Sequence, residues 1–78
     1  MSINKTNLLK TALNERIKTH TVFNLADLPI AIYEAPSDAV QGTPCLVTQY
    51  EYGGSSGVVI VNTQEIVGTW LSSYDGSY

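Results

Sequence analysis

The side chains able to do nucleophilic or metal chemistry are few: one cysteine, Cys45, and one histidine, His20. Nucleophilic catalysis needs a Ser or Cys within hydrogen-bond reach of a base that a third group orients. His20 falls at the end of a predicted helix, where an imidazole caps carbonyls more readily than it activates a thiol. Cys45 opens a predicted strand, where a lone cysteine behaves as a small buried hydrophobe. A single cysteine excludes an internal disulfide and a cysteine zinc cage, and a single histidine excludes the usual His pairs. The acids Glu51 and Glu65 lie on opposite arms of a predicted hairpin and can face each other. Solvated charges that discourage unwanted pairing at a sheet edge explain their positions better. Gly53, Gly54 and Gly57 are followed by no helix start and no lysine, so they serve a turn and not a phosphate loop. These residues assign no catalytic, cofactor-binding or metal site, and no cofactor is expected.

The aromatic residues offer surface chemistry instead. Tyr33, Tyr50, Tyr52 and Trp70 would form a platform of the kind on which single-stranded nucleic acid stacks, but it lacks cations. A core tryptophan with tyrosines at its rim, or a tyrosine-rich protein interface, accounts for the same residues. All four basic residues, Lys5, Lys10, Arg16 and Lys18, precede position 19, while the last sixty residues carry six acids and no base. That asymmetry fits either a basic arm reaching an acidic partner or a basic helix lying on an acidic sheet. Four dispersed cations on a chain of net charge −3 are a poor phosphate footprint, so nucleic acid is an unlikely partner.

Charged residues make up only 14% of the 78 residues, against about 25% in a typical domain. A chain of this size buries only about 60–65% of its unfolded surface, and small domains usually lean on a disulfide, a metal or a partner. With the first two excluded, a partner is expected. The longest apolar run, residues 58–61, is far short of the roughly 18 residues of a membrane span, and no secretory leader is recognisable. Synthesis in a cytoplasm, with no membrane partner and no small-molecule substrate, is the corresponding expectation.

The elements that must position these residues read as an α+β domain: an N-terminal amphipathic helix followed by a small antiparallel β-sheet built around a hairpin. Leu9, Leu13 and Ile17 recur every four positions, which predicts a helix over residues 4–19 with Asn4 as N-cap and Ile3 and Leu8 as a staple. The helix has a broad apolar face that includes Arg16, and it must dock on its own sheet or on another subunit. Residues 20–44 read as a hinge, a short strand at 30–33 and a ten-residue loop of the kind that touches partners. Residues 45–70 read as the hairpin. In its first arm Leu46, Thr48, Tyr50 and Tyr52 share one face, and Cys45, Val47, Gln49 and Glu51 share the other. Its second arm is either one strand with a bulge at Gly68 or two strands broken at Asn62. Residues 71–78 read as an extended tail with little to bury. Leu9, Leu13, Arg16, Ile17, Tyr50, Tyr52, Trp70 and Tyr74 are the candidate protein-interface residues.

From residue 29 to 75 the chain shows an extended segment ending in Ala-Pro, a Gly-Thr-Pro loop, a "QYEY" strand, a glycine-serine turn and a Trp-x-Ser-Ser-Tyr-Asp close. In this it resembles small virion proteins of tailed bacteriophages. The resemblance implies a non-enzymatic subunit of a phage particle, such as a capsid decoration, neck or tail accessory protein. Its partners would be other virion proteins or copies of itself, and its location the virion. A small intracellular module that inhibits a host protein is the alternative, and nucleic-acid binding through the basic helix ranks third.

Overall fold

The computed structural model describes residues 3–54 and 57–78. One helix, α1 (Lys5–Glu15), precedes four strands, β1 (Thr19–Phe23), β2 (Pro29–Glu34), β3 (Pro44–Gly53) and β4 (Val58–Thr69). The strands form one antiparallel sheet in the order β1-β2-β3-β4, and α1 lies on one face of it. The chain is therefore α+β, with the β3–β4 hairpin as its longest feature.

Asn4 starts α1 from an extended conformation, its Oδ1 accepting the Asn7 N–H at 3.1 Å. The helix ends at Glu15 and not at residue 19. Arg16 takes a left-handed φ of 58°, its N–H reaching Leu13 O at 3.4 Å, and the Ile17 N–H reaches Ala12 O at 3.0 Å. These are the two bonds of a Schellman stop, in which an apolar residue just past the end packs back on the last turn. Ile17 extends the apolar period on paper because it belongs to that stop. In space it lies beyond the helix, half-buried against the core.

The expected hinge at residues 20–29 is in part a strand. β1 pairs with β2, placing His20 opposite Tyr33, so His20 does not cap the helix. The β1–β2 turn is held by Asn24, whose Oδ1 accepts the N–H groups of Ala26 and Leu28 at 2.9 and 3.0 Å. The loop at 35–43 is pinned to its own chain. Gly42 N–H donates to Trp70 O and Trp70 N–H to Thr43 O, both at 2.7 Å, and the Lys18 ammonium donates to Ser37 O and Ala39 O at 3.4 and 3.3 Å.

The core forms where α1 meets the sheet: Leu9, Ala12 and Leu13 are fully buried with Ala31, Tyr33, Cys45 and Val47. The helix thus docks on its own sheet, and Leu9 and Leu13 are core residues, not partner contacts. Each of the buried Leu and Val side chains contributes about 1.5–3 kcal/mol through removal from water. The alternation expected in β3 holds, with Cys45 and Val47 under the helix and Leu46 and Tyr50 on the far face.

β4 is one strand, unbroken at Asn62. It is bulged twice. Cys45 pairs with Gly68 and Leu46 with Ile66, leaving Val67 as an inserted residue, while Glu51 pairs with Val61 and Tyr52 with Val59, leaving Ile60 as another. At Gly68 a Cβ would overlap Leu9 Cδ2 and lie 3.1 Å from Tyr78 Cε1, so only glycine lets the helix and the C-terminal residues close over this point.

Residues 71–78 do not extend away. Trp70 is buried, the Arg16 guanidinium lies 4.5 Å and the Lys18 ammonium 4.6 Å from its ring centroid. Arg16 also donates to Leu71 O at 2.5 Å and Ser72 O at 3.0 Å. Tyr74 and Tyr78 stack with centroids 6.3 Å apart, and Tyr78 Oη accepts the Thr69 N–H at 3.2 Å. Arg16, Trp70 and Tyr74, expected at a partner interface, hold the chain's own C-terminal segment. Arg16 sits at the helix stop and not inside the helical apolar arc.

Two substitutions test this packing by urea denaturation. Arg16→Ala is expected to lose about 1–2 kcal/mol through its carbonyl bonds and ring contact, against no more than about 0.5 kcal/mol for Lys10→Ala. Gly68→Ala is expected to lose about 1–3 kcal/mol by overpacking, with a larger residue losing more.

Candidate interaction surface

The one thiol is held inside the fold. Tyr33 is fully buried in β2 and its hydroxyl donates to Cys45 Sγ at 3.2 Å; the Cys45 thiol in turn donates to Thr43 O at 3.7 Å. Burial, reinforced by the Cys45 bond and the neighbouring thiol, pushes the Tyr33 hydroxyl well above its ordinary range. His20 and Cys45 belong to strands separated by β2. Glu51 and Glu65 do not face each other, since Glu51 lies opposite Val61 and Glu65 opposite Val47. Glu65 instead takes the Lys5 ammonium at 2.9 Å, a half-exposed pair that contributes at most about 1 kcal/mol. Among the described residues no group of three His, Cys, Asp or Glu is placed to hold a metal ion, and no helix is long and apolar enough to cross a membrane.

The aromatic platform is not assembled. Tyr33 and Trp70 are buried in the core with the helix, whereas Tyr50 and Tyr52 are half-buried on the hairpin, their β3 positions facing away from α1. Tyr52 Oη donates to Pro29 O at 2.5 Å, which fixes the base of the hairpin to the start of β2. Of the four cations, Arg16 and Lys18 are spent on Trp70 and on carbonyls and Lys5 on Glu65.

What the fold leaves open is the hairpin. β2 pairs with β3 only from Ala31↔Gln49 to Glu34↔Leu46, whereas β3 and β4 continue together to Gly53↔Val58. Among the described residues the outer part of the hairpin therefore has no third strand and no helix beneath it. On it stand four consecutive apolar residues, Val58, Val59, Ile60 and Val61, exposed by 59%, 44%, 64% and 38%. Ile66 is exposed further along the same strand. Phe23 and Leu25, at the β1–β2 turn on the same end of the sheet, are exposed as well. An open groove of about 620 Å³ lies between the β1–β2 turn and the hairpin, lined by Ile3, Leu28, Ile30, Tyr50, Tyr52 and Ile60 among others. Of the eight expected interface residues, Tyr50 and Tyr52 border this groove. The apolar residues of β4 were not among those eight, because a run of four apolar residues bounded by a turn has the pattern of a buried strand.

Comparison with protein-family models, with curated proteins and with solved structures finds no match to this chain.

Tyr33 gives a pH dependence with a definite sign. Its folded pKa lies above the unfolded value, so its contribution is complete below about pH 10 and is lost as pH rises above that point. Unfolding free energy is expected to decline on the alkaline side, and more shallowly in Tyr33→Phe. Parallel declines in the two proteins would show that Tyr33 is not the group responsible.

Proposed function

We propose that this chain is a non-enzymatic structural subunit of a phage particle, a decoration, neck or tail accessory protein, and that it works through protein contacts made by the outer hairpin. The observation that carries this reading is the run of exposed apolar residues on β4. Four adjacent branched aliphatic side chains on an uncovered strand are costly for a free monomer, and contiguous exposed apolar surface marks a place where another molecule sits. A two-stranded ribbon is also marginally stable in water and gains from a third strand. The one thiol points the same way, since Cys45 is sealed in the core, where the Tyr33 hydroxyl donates to it. The phage setting rests on the resemblance of residues 29–75 to small virion proteins. Presentation at many copies in a particle would stabilise a small fold by mass action.

The test is incorporation. Mass spectrometry of purified particles assembled in cells expressing the chain is expected to find it at a fixed ratio to the other virion proteins. The variant Val59→Lys with Ile60→Lys, at exposed positions, is expected to fold within about 1 kcal/mol of wild type and to be lost from the particles. Absence of the wild-type chain from particles, or undiminished incorporation of the variant, would refute the proposal.

A further inference from the structure

Building on the reading of β4 as a contact surface, we propose that β4 pairs antiparallel with β4 of a second copy about a two-fold axis at Gln64, joining two sheets into one of eight strands. β4 has a single neighbouring strand among the described residues, β3, so its other side is a sheet edge, open up to Gly68 and closed at Thr69, whose N–H is taken by Tyr78 Oη at 3.2 Å. Such an edge presents backbone donors and acceptors ready to accept a strand.

The choice of a second copy, and of this register, follows from the two bulges. Residues directly opposite in an antiparallel pair point to the same face. A two-fold axis perpendicular to the sheet keeps the faces of both copies aligned. Val61, Thr63 and Glu65 point to the helix face, and Asn62, Gln64 and Ile66 to the other, as their β3 partners require. At each bulge two successive residues share the helix face: Ile60 joins Val61, its Cγ2 lying where a Cβ on Gly53 would go, and Val67 joins Gly68, whose Cβ would meet Leu9. With the axis at Gln64, Ile60 and Val61 of one copy stand opposite Gly68 and Val67 of the other. The two bulges then match, and faces agree over residues 60–68, short of Thr69, whose edge N–H Tyr78 Oη already holds. With the axis at Thr63, Ile60 on the helix face would oppose Ile66 on the far face. With it at Glu65, two carboxylates would stand directly opposite each other.

The chemistry across the Gln64 register is also compatible. Val61 meets Val67, Asn62 meets Ile66, and Glu65, the one charge in β4, meets Thr63. Lys5 already holds Glu65 on the helix face, so its carboxylate does not guard the edge. In this arrangement the uncovered hairpin of each copy lies along the helix-backed part of β4 in the other, which supplies the third strand it lacks.

Cysteine cross-linking reads the register directly, because native Cys45 is fully buried and paired Cβ atoms across strands approach within disulfide range. Under mild oxidation Gln64→Cys is expected to form a covalent dimer by itself. Asn62→Cys alone is expected to remain monomeric, while an equimolar mixture of Asn62→Cys and Ile66→Cys gives the mixed dimer. Sedimentation of the wild type is expected to shift from monomer to dimer with rising concentration. A wild-type protein that sediments as a monomer throughout, or a dimer in which Gln64→Cys fails to cross-link while Asn62→Cys succeeds, would overturn the proposal. Either result would leave the contact role of β4 standing if Val59→Lys with Ile60→Lys still abolished incorporation. Loss of both results together would remove that role as well.

Discussion

Length mismatch between one helix and one hairpin governs this structure. An α-helix of 11 residues is roughly 16 Å long, whereas a strand of 12 residues is roughly 40 Å. The longest dimension of the molecule, 41 Å, is that of the hairpin. One helix can therefore cover less than half of β3 and β4. Where it does so, Leu9, Leu13, Tyr33, Cys45 and Val47 form one fully buried core. Beyond its first turn the same two strands continue without support, and the apolar residues of β4 face water.

The covered half is closed by contacts that use up the chain's cations. Trp70 is the pivot: the loop at 35–43 bonds to its backbone, and Arg16 and Lys18 lie over its ring. Arg16 adopts a left-handed conformation that costs a non-glycine residue about 1 kcal/mol. Its guanidinium offsets this cost by reaching the carbonyls of Leu71 and Ser72. The charge asymmetry of the sequence is thereby explained with a single ion pair among the described residues. The cations near the N-terminus meet a tryptophan ring and backbone oxygens more than they meet the acids.

Much of this was legible in the amino-acid order because it depends on local rules. The N-cap at Asn4, the two faces of β3, the β3–β4 pairing and the bulge near Gly68 follow from periodicity and from glycine placement, while residues 55 and 56 of the expected turn lie outside the described residues. The helix end was not legible, since Ile17 keeps the four-residue spacing while serving as the apolar partner of a stop motif. β1 was missed because Thr19 to Phe23 is short, polar at its start and stabilised by pairing with β2, a non-local contact. The C-terminal segment was misread for a similar reason: Tyr74 and Tyr78 look like isolated aromatics until Gly68 opens the space they fill. Four of the eight interface candidates, Leu9, Leu13, Arg16 and Ile17, belong on sequence grounds to the most apolar helix face. That face is the one the sheet covers first.

The two edges of the sheet carry opposite designs, and the contrast bears on what β4 is for. β1 spans only five residues and begins with Thr19 and His20, a short polar edge of the kind that resists pairing. β4 is more than twice as long, has no Lys, Arg or Pro, and carries one acid whose charge Lys5 holds over the helix face. Bulges commonly twist an edge away from a neighbour, yet those of β4 fall at positions that match each other across a two-fold axis. An edge without Lys, Arg or Pro, whose one acid is held over the helix face, puts no charge in the way of the strand pairing proposed above.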